Sequence, residues 1–233
     1  MAAKIVVVFN QKGGCAKTMT SMQIGGTWGL MGKRVLIVDM DPQNTAKLWE
    51  LQADPSTPFP AEVVSLAPLG SLFMDRIQSL VDNFDVIIID CPPAIESQVP
   101  WSALLIADFA IIPVIPVMDN VWASKQAEQM VLQARADREK SGLIDPLNAA
   151  YLLSVVRKGK VFDVCLDTLV KGTQLPILKS KVGMRNAYPE SQLFGCSVGA
   201  FGASVATTEI NAVAQELAKQ IGLTLNVKGQ GKK

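Results

Sequence analysis

Residues 4–18 read KIVVVFNQKGGCAKT, and this stretch decides the fold. Ile5 to Phe9 form an unbroken apolar run that stops abruptly at Asn10, Gln11, Lys12 and two glycines. A strand with no polar alternation is buried on both faces, as in a parallel sheet covered by helices. After the glycines, Lys17 and Thr18 open a segment of helical spacing over 17–31. A glycine-rich turn between strand and helix aims several backbone N–H groups at one point, where the helix N-terminus adds partial positive charge. Such a turn cradles a polyphosphate; the competing reading is a plain glycine turn closing a β-α unit.

The same rhythm continues along the chain. VLIVD (35–39), DVIIID (85–90), FAIIPVI (109–115) and a run at 149–155 read as strands, with helical spacing at 44–52, 71–82, 97–106, 121–139, 161–171, 186–194 and 204–221. The pattern predicts a single domain over residues 1–222, an α/β fold with a mostly parallel twisted sheet and helices on both faces, and the Lys17-Thr18 loop after its first strand makes it a P-loop NTPase fold. A short polar tail, 223–233, follows. At 233 residues and 49% hydrophobic the chain can bury a large core, and no linker or repeat divides it.

Composition removes whole classes of chemistry. Zero histidines exclude Ser-His-Asp and Cys-His machinery, His-ligated zinc and an imidazole base. The 22 Lys+Arg against 21 Asp+Glu leave no global field for nucleic acid or lipid, so any such binding is local. Cys15, Cys91, Cys165 and Cys196 form no C-x-x-C pair and read as free thiols in a reducing cytoplasm. The longest apolar stretch, Ala103 to Met118, is interrupted by Asp108, Pro113 and Pro116, which rules it out as a membrane span.

In the loop, Lys17 is placed to reach the β- and γ-phosphates and Thr18 to ligate Mg²⁺. The third strand closes on Asp90, an arrangement in which the carboxylate holds Mg²⁺ mostly through water. The second ends Asp39-Met40-Asp41-Pro42-Gln43, with both carboxylates at the strand's C-terminal end, where α/β sheets bind ligands.

Lys12-Gly13-Gly14-Cys15-Ala16-Lys17-Thr18 resembles the deviant Walker A motif, K-G-G-x-G-K-[ST], of the ParA/MinD ATPases, closest to small ParF-like members, with Ala16 where the family has glycine. The resemblance covers about residues 4–221. It implies a nucleotide cradle from Gln11 to Met19, with Lys12 crossing an ATP-sandwich dimer to the partner's phosphates. Asp39-x-Asp41-Pro-Gln resembles the family's switch I, implying that Asp41 positions the attacking water and Asp39 lies near the Mg²⁺ shell; Asp90-x-Pro-Pro resembles its switch II. Ile112 to Pro116 resembles a segment beside the nucleotide, which brings in Pro116. The stretch Tyr151 to Val161 resembles the strand and loop that approach the base, assigning Arg157 to adenine stacking, although an arginine there could equally be surface charge or face DNA. No N-K-x-D occurs, so ATP is favoured over GTP.

Arg157 to Arg185 holds seven basic residues (Arg157, Lys158, Lys160, Lys171, Lys179, Lys181, Arg185) and two acidic ones (Asp163, Asp167), a net of +5 within a chain of +1. Lys179, Lys181 and Arg185 resemble family residues that bind DNA phosphates, against the reading of an ordinary solvated face. The whole resemblance implies a Mg²⁺-dependent ATPase, slow alone, that forms a homodimer with ATP and binds DNA non-specifically. It implies partition or positioning of a plasmid, chromosome region or other cargo through a ParB-like or cargo-adaptor partner, in a cytoplasmic, nucleoid-associated protein. The alternatives are a MinD-like membrane-surface ATPase, disfavoured by the few apolar positions after Gly222, and a metabolic or metallocluster-assembly ATPase of the same superfamily.

Overall fold

The computed structural model describes residues 2–93, 97–143 and 146–225. Six strands, β1 (Lys4–Val8), β2 (Val35–Asp39), β3 (Glu62–Ser65), β4 (Val86–Asp90), β5 (Phe109–Val114) and β6 (Asn148–Leu153), pair in the order β3, β2, β4, β1, β5, β6. Every pair is parallel. From β1 the chain crosses to β2 on one side, and after β4 it crosses back to β5 on the other. The C-terminal ends of β1 and β4 therefore flank the switch point, the place where open α/β sheets bind ligands.

Alternate strand residues serve two cores. Ile5, Val7, Phe9, Leu36 and Ile87 pack on the face covered by α3 (Phe73–Leu80), α4 (Val99–Ile106), α5 (Met118–Lys140) and α6 (Lys160–Gly172). Val6, Val8, Ile37 and Ile88 pack on the opposite face, against α1 (Lys17–Leu30), α2 (Thr45–Glu50), α7 (Ala187–Leu193) and α8 (Val205–Gln220). Burial on both sides explains why these strands read as continuous apolar runs. Trp28 of α1 is fully buried and its indole N–H donates to Ala214 O of α8 at 3.1 Å, which fixes the two helices together.

The expected fold class is the observed one, with corrections to its elements: the strand expected to run to 155 ends at Leu153, because Val155 turns to φ 54°. The sequence reading has five strands and passes over β3, because EVVS offers only two apolar residues, and an edge strand needs no more. It also starts α5 at 121, whereas the helix begins at Met118. Asp119 thereby falls in the first turn, where the helix dipole favours a carboxylate. Residues 226–233 of the expected polar tail lie outside the described residues. Among the described residues, no helix is long and apolar enough to cross a membrane.

Near its end α1 approaches the chain before β3 so closely that a Cβ at Gly29 would collide with the carbonyl oxygen of Pro60. Backbone cannot yield as a side-chain tip can. Gly29→Ala should therefore cost about 3 kcal/mol of stability in urea unfolding. Gly32→Ala, where φ is +81° but a methyl meets open space, should cost only about 1–2 kcal/mol. Equal losses would mean that the α1 contact is not tight.

Candidate functional site

The loop after β1 is pinned at its entrance. Asn10 is fully buried; its side-chain amide donates to Pro113 O at 2.9 Å and its Oδ1 accepts from Lys12 N at 3.4 Å. The loop thus hangs from the end of β5. The Cys15 thiol and the Lys17 ammonium both donate to Lys12 O, at 3.1 and 3.0 Å, folding the loop back over the start of α1. Burial pushes the Cys15 thiol up, so it packs as a neutral group. Lys17 is only 7% exposed, which places a buried positive charge inside the turn.

Ala16 takes φ 69°, ψ 27°, the left-handed region, immediately before α1. The family motif has glycine there, and the backbone geometry supplies the reason: a Cβ in this conformation costs about 1–2 kcal/mol.

Opposite the loop, Asp90 ends β4 with no exposure to solvent. Thr18 Oγ1 donates to Asp90 Oδ2 at 2.7 Å and Ser21 Oγ lies 2.9 Å from Asp90 Oδ1. Burial pushes this carboxyl up to about 7, the Asp39 charge adding to the rise while Thr18, Ser21 and Lys17 oppose it. The donor set suits a hard cation, being a carboxylate and a hydroxyl at the mouth of an anion cradle. Among the described residues no group of three or more His, Cys, Asp or Glu side chains could hold a metal by itself.

Asp39 sits across the sheet from Asp90 in the β2–β4 register and is equally buried. Its two oxygens accept from the backbone N–H groups of Asp41 and Lys47, each at 3.1 Å, so it fastens the loop between β2 and α2. Asp41 is half-buried and closes its own turn, accepting from Gln43 N at 2.9 Å. The Lys12 ammonium pairs with the Asp119 carboxylate in the first turn of α5. That pairing holds the Asp119 carboxyl below the usual range.

Pro116 and Arg157 line one cavity of about 480 Å³, together with Val155 and Met184. The exposed Arg157 guanidinium lies 3.4 Å from Met184 Sδ. A second cavity, about 310 Å³, touches the loop itself at Ala16 and Met19 and is walled by Trp49, Val155, Met184, Arg185, Asn186 and Tyr188. Its size falls at the lower end of small-molecule pockets, roughly 300–1,000 Å³.

Arg185 pairs with Glu209 of α8 at 2.7 Å, and Lys181 lies over the Phe162 ring, 5.2 Å from its centroid. Both line a basic cavity that also takes in Arg157 and Lys158. Lys179 is held through its backbone N–H by Glu216, at 2.8 Å.

Sequence reasoning passed over Ser21, Asp119 and Asn186. Ser21 had a signal, standing three residues after Thr18 on the same helix face. Asp119, three residues beyond Pro116, had one only once the start of α5 was known. Asn186 had none, since the fold alone brings the chain after α6 back to the loop.

Residues 3–58 match a family described as an AAA domain. The chain is 32% identical over 222 residues to the Maintenance of carboxysome distribution protein A of Halothiobacillus neapolitanus, spanning 91% of this chain and 95% of that protein. It is 30% identical over 147 residues to the Sporulation initiation inhibitor protein Soj of Bacillus subtilis, spanning 48% of this chain and 58% of Soj. Among solved structures, nucleotide-free Cyanothece McdA superposes with a TM-score of 0.74 at 19% identity, over 92% of this chain and 99% of that one. The septum site-determining protein MinD of Pyrococcus horikoshii, complexed with Mg-ADP, superposes with a TM-score of 0.71 at 20% identity, over 95% and 98%. These two likenesses show the shared fold.

Ala16→Gly should stabilise the chain by roughly 0.5 kcal/mol, since release of the left-handed strain outweighs the added freedom of the unfolded glycine. Urea unfolding measures the gain, and calorimetry should show ATP affinity equal to or above wild type. Loss of ATP binding would mean that this loop works differently from a glycine-bearing one.

Proposed function

The chain belongs to the ParA/MinD family of P-loop ATPases, and we propose that it hydrolyses ATP between two copies of itself and positions a cargo on DNA. The observation that carries this reading is the joining of Thr18 and Ser21 to buried Asp90 beside the Lys17 turn. It unites at one point a cation-seeking carboxylate and an anion-seeking loop.

In this reading the backbone N–H groups from Gln11 to Met19 bind the phosphates, and Lys17 neutralises charge on the β- and γ-phosphoryl groups. Thr18 and Asp90 hold Mg²⁺, with Asp39 behind them keeping the β2 loop in place. The metal, when bound, neutralises phosphate charge. Asp41 orients the water that attacks the γ-phosphorus, and the leaving group is ADP. The cavity walled by Val155, Met184 and Asn186 takes the base, with Pro116 and Arg157 in the neighbouring cavity that shares Val155 and Met184 with it.

Lys12 acts on the partner copy's phosphates, which requires it to give up Asp119. Dimerisation is thereby tied to ATP. Lys179, Lys181 and Arg185, joined by Arg157 and Lys158, form the DNA-facing surface. A dimer doubles their number, so binding needs ATP and falls with salt at a slope of about −0.9 per phosphate contact. The name of one relative, for maintenance of carboxysome distribution, supports a positioning role. The partner is a ParB-like or cargo-adaptor protein that stimulates hydrolysis, and the ATP-bound protein sits on the nucleoid.

Lys17→Ala should weaken ATP binding by about 100-fold or more, because a buried charge within the turn is lost. Lys12→Ala should bind ATP as a monomer yet fail to dimerise. Nucleotide titration alongside sedimentation reads both, and equal loss of ATP binding would overturn the division of roles.

Asp41→Ala should keep the ATP dimer and lose hydrolysis by about 100-fold or more, since water orientation acts in the transition state. Phosphate release measured with ATP and DNA tests it. A wild-type rate would assign the water to another group.

A further inference from the structure

The segment Gly183 to Asn186 is a wall with a cavity on each side. One side is the 310 Å³ cavity that touches Ala16 and Met19. The other is a cavity of about 560 Å³ whose lining includes four cations, Arg157, Lys158, Lys181 and Arg185, and the carboxylate of Glu209. Glu209 is the anchor of that wall. Its Oε2 accepts from Gly183 N at 3.0 Å and lies 3.5 Å from the Tyr188 hydroxyl, while its Oε1 accepts from Arg185 Nη2 at 2.7 Å. The wall is tied on its far edge by Met184 N donating to Val156 O at 2.9 Å.

A half-exposed ion pair of this kind adds little stability. Its consequence is electrostatic and geometric. With Glu209 ionised the cluster carries a net +3 from the residues just named, and the Arg185 guanidinium is turned toward α8. An incoming phosphate must compete with a carboxylate already in place.

We propose that Glu209 is a positioning residue that restrains the basic cluster and anchors the wall it shares with the nucleotide cavity. It sets how strongly the cluster takes a polyanion by occupying Arg185, and it shapes the cavity beside the phosphate loop by holding Gly183 and Tyr188. Nucleotide on one side and polyanion on the other thus act on the same four-residue segment. The polyanion half of this inference rests on the DNA-binding reading above, and the nucleotide half on the assignment of the base to the cavity beside Ala16 and Met19.

The test compares the full-length wild type with Glu209→Gln and Glu209→Ala, using a fluorescent ATP analogue with Mg²⁺ and a mixed-sequence DNA duplex. Glu209→Gln keeps an acceptor for Gly183 and Tyr188 but frees Arg185. It should bind duplex about tenfold more tightly at low salt, with a log–log salt slope steeper by up to about one per chain. Glu209→Ala should show the same gain on DNA but bind the analogue about tenfold more weakly, having lost the acceptor, and Glu209→Gln should restore most of that loss. Should Glu209→Ala not fold, Glu209→Asp, which keeps the charge but withdraws it by one methylene, replaces it and should weaken nucleotide binding without the DNA gain.

A wild-type salt slope and affinity in Glu209→Gln would overturn the restraint, and analogue affinities that fall equally in both variants, or in neither, would overturn the anchoring. If the wild type with ATP binds no duplex at any salt concentration, the DNA reading itself fails. The nucleotide comparison then still decides the role of Glu209.

Discussion

The hydrogen bond from Thr18 to Asp90 joins two parts of the chain 72 residues apart, and the rest of the site is arranged around it. It forms because β1 and β4 are neighbours in a parallel sheet, in a register that sets Val8 opposite Asp90. The first loop and the end of β4 then open on the same edge. A carboxylate taken wholly out of water costs several kcal/mol unless donors surround it. Here two hydroxyls of α1 do so, Thr18 at 2.7 Å and Ser21 at 2.9 Å, while burial still pushes the carboxyl up. A carboxylate and a hydroxyl, the donors a hard cation takes, thus stand next to a glycine-rich turn.

Among the described residues three that are not glycine, Ala16, Asn44 and Val155, have positive φ values of 69°, 53° and 54°. All three border this region. Ala16 closes the phosphate loop, Asn44 ends the turn that Asp41 opens, and Val155 follows β6 where it walls both cavities. A β-branched residue at positive φ is rare. Strain of this kind persists only where the surroundings over-determine the backbone, and its clustering here agrees with a site formed at some local cost. The Asp39 carboxylate, gripping the backbone at Asp41 and Lys47, is one of the contacts that holds such a turn in place.

Much of this was legible in the sequence because chemistry and spacing coincided there. The buried strands announced themselves by lacking alternation, and the phosphate loop by following the first of them. Asp90 was legible as the residue that closes an apolar run. The short edge strand β3 was not, because Val63 and Val64 alone carry no period. The wall of the cavity beside Ala16 was not legible either: Met184 and Asn186 lie more than 160 residues from Ala16, and only the packing of the segment between α6 and α7 against the loop brings them together. Arg157 and Arg185 were read in separate roles, whereas the fold sets them in one cavity and puts Arg185 also on the wall of the other. Side-chain pairings such as Lys12 with Asp119 depend on crossovers that no local pattern encodes.

The central claim is that the turn around Lys17 and the carboxylate of Asp90 form one site for a metal-bound adenine nucleotide. Calorimetric titration of the purified chain with ATP, with Mg²⁺ present and then chelated, tests it most directly. The account predicts one nucleotide per chain, affinity weakened by about tenfold or more without the metal, and little binding of GTP. Binding that ignores Mg²⁺, or no nucleotide binding at all, would contradict it.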